Sequence, residues 1–122
     1  MALKRRDIKV PSLPQQVETS ELLGGEVVVR GLLLSERMEV DQLNATASKA
    51  RDGETEDQAR ARAGSQVIPR MLARCVVDDD GEALLSASEW DALGASNPGE
   101  IYRLFNVAMR LSGQDIPAIE KN

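Results

Sequence analysis

The three aromatic residues of this chain constrain its folding most, because aromatic side chains contribute the largest buried areas to a small core. The chain has 122 residues with one Trp, one Tyr and one Phe, all between residues 90 and 105, so they form either the centre of the core or an anchor for a partner. Ile101, Leu104 and Phe105 share one face of a helix, which favours the core. Tyr102 points elsewhere, and we expect it to be exposed. The candidate partner-binding residues of this segment are Trp90, Leu93, Ile101, Tyr102, Leu104 and Phe105.

Four helices are predicted from residues that typically begin and end helices. Ser, Thr and Asn side chains accept hydrogen bonds from the first free N–H groups of a helix, and glycine suits the residue that follows the last turn. Ser86 and Glu89 have the spacing of a capping box, and Pro98 follows Asn97 at the first helical position. The helices are expected to start after Ser35, Thr55, Ser86 and Asn97 and to end near Ala47, Val76, Gly94 and Gly113.

The second of these helices contains a proline, and the sequence does not decide whether the helix is continuous there. Apolar residues recur at intervals of four from Ala59 to Met71, which predicts a long helix over about 56–76. A proline inside a helix costs about 3 kcal/mol and usually kinks it. Either the helix bends at Pro69 or two helices meet at Gly64–Ser65.

A small β element is predicted near the N-terminus. Ile8 and Val10 alternate with polar neighbours, which indicates a short strand that ends at Pro11. The β-branched run Glu26–Arg30 indicates a second strand. These two strands are expected to form a small sheet, with residues 11–25 as a loose connection.

The acidic segment Asp78–Gly81 predicts a turn between two apolar stretches, and hence a short hairpin or an extended corner. Its carboxylates partly match a calcium-binding EF-hand loop. With the glycine at the sixth position, Asp78 and Asp80 occupy the third and fifth positions of that loop. The first and twelfth positions are Val76 and Ala87, which cannot bind a cation. We therefore expect a turn that bonds its own backbone and no metal site.

Together these elements predict a single domain that is mainly α with a small β element. Short N-terminal strands within residues 1–34 precede a helical body of about four helices over residues 35–113. That body contains a polar segment at residues 48–57, which we expect to be a mobile loop. Residues 114–122 form a short C-terminal tail in this interpretation.

The chain has no histidine and one cysteine, which disfavours most catalytic and metal-binding chemistry. Without histidine, no Ser-His-Asp or Cys-His arrangement and no imidazole ligand is possible. Cys75 borders an apolar stretch, so we expect a buried, inert thiol. No recognisable catalytic carboxylate motif or phosphate-binding glycine loop is present in the sequence. We therefore expect a protein that is not an enzyme and has no cofactor.

The charge of the chain disfavours nucleic acid as a partner. Fifteen basic and 20 acidic residues give a net charge of −5, whereas nucleic-acid binding needs a basic surface. The one basic cluster, Lys4–Lys9, is expected to be a solvated terminus. The longest apolar run, Leu32–Leu34, is too short to span a membrane, so we expect a soluble cytoplasmic protein. A small DNA-binding regulator that uses the basic cluster and Arg60–Arg74 is retained as a third hypothesis.

Three motifs in the second half of the chain resemble the tail assembly chaperones of long-tailed bacteriophages. The first motif runs from Leu72 to Leu85 and contains Ala-Arg, an apolar run, Asp-Asp-Asp-Gly and an apolar pair. The second motif spans Trp90 to Gly94, and the third is the helix from Leu104 to Gly113, of the type Leu-Phe-x-Val-Ala-x-Arg-Leu-Ser-Gly. The motifs consist of packing and turn residues, so they indicate a fold more than a chemical site.

The resemblance implies a small, mostly helical protein that acts in the host cytoplasm and is absent from the mature virion. Such chaperones coat the hydrophobic tape-measure protein and keep it soluble until the tail-tube protein, a second candidate partner, polymerises around it. A protein with this role needs apolar patches on a charged, soluble body. Self-association is also common, so we expect a homo-oligomer. The alternative function is a structural head–tail adaptor that stays in the phage particle.

Overall fold

The protein consists of an antiparallel sheet covered by helices, and a computed structural model describes its residues 2–8 and 12–113. The predicted class, mainly α with a small β element and four helices, is confirmed over these described residues. Residues 48–55 connect the first two helices, and the predicted tail at 114–122 lies outside the described residues. The elements are β1 (Gln15–Ser20), β2 (Gly25–Arg30), α1 (Leu34–Ala47), α2 (Glu56–Cys75), β3 (Val76–Val77), α3 (Ala87–Ser96) and α4 (Pro98–Leu111). The strands are hydrogen-bonded in the order β1-β2-β3.

The first strand lies later in the chain than the sequence predicted. Ile8 is not part of a strand, and Val10 lies outside the described residues. Instead of a loose connection over residues 11–25, β1 pairs with β2 along its whole length, from Gln15 opposite Arg30 to Ser20 opposite Gly25. The prediction was wrong because β1 has only one large apolar residue, so its strand character comes from pairing with β2. The second strand, predicted at Glu26–Arg30, is confirmed.

The acidic turn after β3 forms the predicted corner and uses its first carboxylate for backbone hydrogen bonds. Asp78 Oδ1 accepts hydrogen bonds from the backbone N–H groups of Asp80, at 2.8 Å, and Glu82, at 3.0 Å. The glycine of the turn has a φ of +82°, a left-handed conformation that favours this residue. Val77 pairs with Ala83 across the turn. Within the described residues, no group of three His, Cys, Asp or Glu side chains is placed to hold a metal ion.

Three of the four described helices start where the sequence predicted. The side chains of Thr55 and Ser86 each accept a hydrogen bond from a backbone N–H three residues further on, at 3.1 and 3.2 Å. In contrast, α1 begins one residue before Ser35, the residue that was expected to precede it. Here the side chain of Glu36 accepts a hydrogen bond from the backbone N–H of Leu33 at 2.9 Å, which fixes an earlier start.

Two helices run through residues that were expected to interrupt them. Helix α2 is continuous and holds Pro69 in a buried position, so the alternative of two helices meeting at Gly64–Ser65 is wrong. Helix α3 continues two residues past its predicted end at Gly94. This glycine faces α4, where a Cβ would lie 3.6 Å from Ile101 Cγ1. In both helices, packing against the rest of the core offsets the local preference of proline or glycine.

The core lies between the sheet and the inner faces of α2, α3 and α4. Trp90, Leu72 and Leu104 have no exposed surface at all. The single tryptophan is therefore a central core residue, as the clustering of the aromatic residues suggested. The full core cluster consists of Val27, Val29, Met71, Leu72, Cys75, Val76, Trp90, Ile101, Leu104, Val107 and Ala108.

The end of β2 is held against the end of α4. Gly31 is buried there, and a methyl group on its Cα would overlap the carbonyl oxygen of Leu111. The backbone N–H of Leu32 donates a hydrogen bond to Ser112 Oγ at 3.0 Å, and Arg37 donates one to the Ser112 carbonyl oxygen at 2.6 Å. The end of the N-terminal hairpin and the end of α4 therefore meet at one close junction.

Candidate partner-binding groove

A groove runs along the outer face of α2, and we call it the α2 groove. Its middle row is formed by Arg60, Gly64 and Ile68, which are spaced by four residues and so lie on one helix face. The front half, with a volume of about 610 Å³, lies between α2, α3 and the start of α4. The back half, of about 670 Å³, lies between α1, α2 and α4. Gly64, which carries no side chain, borders both halves.

The front half is lined by core residues below and by a tyrosine at its edge. Trp90 and Ile101 are buried residues that still border the groove. Tyr102 is 56% exposed, which confirms the prediction that it points away from the core. The buried indole Nε1 of Trp90 has no hydrogen-bond partner among the described residues. An unpaired buried donor of this kind costs about 1–3 kcal/mol. Such a donor is unusual at the centre of a core, where most polar groups are hydrogen-bonded.

The back half is lined by half-buried apolar side chains from three helices. Phe105 and Met109 come from α4, Ile68 from α2 and Val40 from α1. The sequence left Phe105 open between the core and a partner anchor, and favoured the core. In the structure it is half-buried and packs against the outside of the core cluster. These side chains leave part of their apolar surface open to solvent.

The predicted binding residues therefore separate into two sets. Trp90, Ile101, Tyr102 and Phe105 border the α2 groove. The other two do not line it: Leu104 is fully buried, and Leu93 is partly buried against the core cluster. The middle row of α2 and Met109 were missed. Their signal was the continuous helical pattern of α2, which predicts a face but not whether another helix covers it.

Two aspartates and one arginine are the charged residues that line the α2 groove. Asp41 lines the back half and Asp91 the front half. Asp41 is 3.9 Å from Arg37 and its side chain is 63% exposed, so this pairing is weak. Arg60 lies between the two halves and forms an ion pair with Asp57. An apolar surface between carboxylates suits a partner whose apolar side is flanked by basic residues.

A bidentate ion pair outside the groove joins β2 to α1. Arg30 donates two hydrogen bonds to the carboxylate of Glu36, at 2.8 and 2.9 Å. These hydrogen bonds lower the pKa of Glu36 from 4.5 to about 2. Arg74 on α2 also donates to Glu36, at 3.3 Å. The network holds three elements together and has a structural role.

The one cysteine is not a candidate nucleophile. Cys75 is fully buried, as predicted. Burial raises the pKa of its thiol to about 12. The reactive thiolate form is therefore almost absent at neutral pH.

Three of the α2 arginines assigned to DNA in the third hypothesis are already paired with carboxylates. Arg60 is paired with Asp57. Arg62 lies 2.9 Å from Glu54, and the hydrogen bonds from Arg62 lower the pKa of that glutamate to about 2. Arg74 forms ion pairs with α1, as described above. These pairs reduce the basic surface that a DNA-binding regulator would need.

Comparison of the chain with family models, with curated proteins and with solved structures finds no match. The resemblance to tail assembly chaperones over residues 70–113 therefore stays a prediction from the sequence. Among the described residues, no helix has the length and apolar character that crossing a membrane requires.

Proposed function

We propose that the protein is a phage tail assembly chaperone that binds the hydrophobic tape-measure protein through the α2 groove and keeps it soluble without catalysis. The observation that carries the proposal is the open apolar surface of this groove, where Ile68, Tyr102 and Phe105 remain partly exposed. Monomeric proteins seldom expose a connected apolar surface without a use for it.

The position of the groove agrees with the resemblance. The motif at Trp90 to Gly94 lies in α3, and the motif that starts at Leu104 lies in α4. Both helices form walls of the α2 groove. The packing residues that carry the resemblance thus build the surface to which we assign binding.

The geometry of the groove favours a helical segment as the bound form of the partner. The middle row of α2 extends over nine residues from Arg60 to Ile68, about 12 Å of helix. A helix that lies in a groove uses apolar residues at intervals of three and four to fill it. Asp41 and Asp91 then face basic residues on either side of that apolar stripe.

The experiment is co-expression with the tape-measure protein, followed by measurement of that protein in the soluble fraction. Gly64→Leu adds a side chain at a position that borders both halves, where the nearest atom to a Cβ is Ile68 Cδ1 at 4.0 Å. Tyr102→Asp places a charge at the edge of the front half. Each variant is expected to lower the soluble amount about tenfold, which corresponds to ~1.4 kcal/mol of binding free energy.

Two matched controls separate binding from folding. Gly99→Ala also adds a side chain to a helix, but no atom lies within 4 Å of its Cβ and it does not line the groove. Leu34→Asp changes an apolar residue that is 74% exposed elsewhere on the surface. Both controls should keep the tape-measure protein soluble. Precipitation with the wild-type chain, or full solubility with folded groove variants, would contradict the proposal.

A structural adaptor is distinguished by its place in the finished particle. Mass spectrometry of purified virions should not detect this chain if it is an assembly chaperone. A stoichiometric amount in the virion would instead identify an adaptor.

A further inference from the structure

The outer edge of β1 carries backbone groups that no described strand uses. β1 is at the edge of the sheet, with β2 on its inner side. The backbone N–H of Gly31 donates a hydrogen bond to the carbonyl oxygen of Pro14 at 2.8 Å, in the register of the β1–β2 pairing. Since hydrogen-bonded positions alternate along an antiparallel pair, the even-numbered residues of β1 direct their backbone groups towards β2. Gln15, Val17 and Thr19 consequently direct their N–H and C=O groups outward. Arg103, which donates to the Thr19 carbonyl oxygen at 2.8 Å from outside the sheet, agrees with this direction.

The side chains of β1 do not prevent another strand from approaching. Edge strands are commonly protected by charged side chains or by proline. The only charged residue in β1 is Glu18, and it lies 2.6 Å from Arg103, so its charge is neutralised. Val17 is 57% exposed on the solvent side of the sheet. An exposed β-branched residue in the middle of an open edge favours pairing.

The sequence of β1 is complementary to itself in the antiparallel direction. A two-fold axis at Val17 pairs this residue with its own copy and pairs Gln15 with Thr19. All three are positions with outward backbone groups, so the N–H and C=O groups meet in the correct alternation. The Thr19 carbonyl oxygen already accepts a hydrogen bond from Arg103, and its second lone pair accepts the N–H of Gln15 of the other copy. On the opposite face, Gln16 pairs with Glu18, and the amide of Gln16 already donates to Glu18 at 2.6 Å within one chain. No like charges face each other in this register.

We propose that two copies of this chain associate through antiparallel pairing of β1 with β1, which joins their sheets into one six-stranded sheet. The paired region, residues 15–19, is five residues long, about 17 Å. Stable dimers bury about 1,200 Å² or more, which a single strand pair does not reach. The dimer is therefore concentration-dependent. This inference is independent of the α2 groove and of the proposed function.

The first test uses sedimentation velocity over a concentration series that reaches the high micromolar range. The wild-type chain should shift from monomer to dimer. Val17→Pro removes an outward N–H that β1 does not share with β2, so it should abolish the dimer and leave the monomer folded. Val17→Thr keeps the N–H and the β-branched shape, and it should keep the dimer. Gln16→Pro removes an N–H that faces β2 and should instead destabilise the monomer.

The second test is disulfide trapping. Opposite residues of a hydrogen-bonded antiparallel pair have Cα atoms about 5.5 Å apart, which is within disulfide range. Val17→Cys should therefore give a covalent dimer under mild oxidation, while the native cysteine is buried and does not compete. Glu26→Cys, exposed on β2 away from the edge, is the control and should give no dimer. A wild-type monomer at every concentration, a dimer that survives Val17→Pro, or equal cross-linking at both positions would overturn the proposal.

Discussion

Replacement of Gly31 by alanine tests the junction between β2 and α4. The added methyl group would overlap the Leu111 carbonyl oxygen and lie 2.9 Å from the Leu111 carbonyl carbon. Both atoms belong to the backbone, so a side-chain rotation cannot relieve the overlap. The end of α4 must move away, although Ser112 is held there by hydrogen bonds with Leu32 and Arg37.

The expected loss follows from three contributions. Overpacking in a tight site costs about 1–3 kcal/mol. Weakening the hydrogen bonds of Ser112 adds about 1 kcal/mol. Alanine also lowers the conformational entropy of the unfolded chain, which stabilises the folded state by about 0.4–1 kcal/mol. We therefore expect Gly31→Ala to lower the free energy of unfolding by about 2–3 kcal/mol, a large part of the 5–15 kcal/mol typical of a domain.

Urea unfolding followed by circular dichroism measures this difference. Gly25→Ala is the matched control in the same hairpin, because no atom lies within 4 Å of its Cβ. This variant should be neutral or up to about 1 kcal/mol more stable than the wild type. Equal stability of the two variants would refute the reasoning, since both lose the same backbone freedom and only one meets a steric conflict.

Three further predictions concern charge, packing and reactivity. The hydrogen bonds from Arg30 lower the pKa of the Glu36 carboxyl group to about 2. The charged carboxylate therefore stabilises the fold fully above its ordinary pKa of 4.5, and this stabilisation is lost as the pH falls through about 2. Glu36→Gln should therefore lower the free energy of unfolding by about 2 kcal/mol at neutral pH. In urea titrations at a series of pH values, the free energy of unfolding of this variant should fall less steeply towards acid pH than that of the wild type. Leu104→Ala should lower the free energy of unfolding by about 3 kcal/mol in the same assay, and Phe105→Ala by about half of that, because only Leu104 is fully buried. Equal losses for the two variants would place both residues in the core. Cys75 should react with a thiol reagent only after unfolding, and rapid labelling of the native chain would contradict its burial.

Local signals in the sequence predicted the parts of the fold whose causes are themselves local. Thr55 and Ser86 cap their helices because the bonded N–H groups lie three residues away. Gly113 follows α4 with a φ of +87°, a conformation for which glycine is suited. The β-branched residues of β2 also formed their strand as predicted. In these places the sequence pattern and the hydrogen bond involve the same few residues.

The features that were missed depend on residues distant in the chain. β1 has a polar sequence and becomes a strand by pairing with β2 and by contact with Arg103, 85 residues beyond Glu18. Pro69 remains inside a helix because that helix is buried on several sides. The distinction between Leu104 in the core and Phe105 in the groove depends on how α1, α2 and α4 are arranged. A single sequence predicts a helix face but not which neighbouring helix covers it.

The close junction at Ser112 also has a consequence for synthesis of the protein on the ribosome. Leu32 is bonded to Ser112 and Ser20 to Glu100, and each pair is separated by 80 positions. The N-terminal hairpin emerges first and cannot gain these contacts until α4 has been translated. Closure of such long loops is slow because their entropy is lost before the contacts form. The native core is therefore completed in a late step, and shortening the chain before α4 should leave the hairpin without its packing partner.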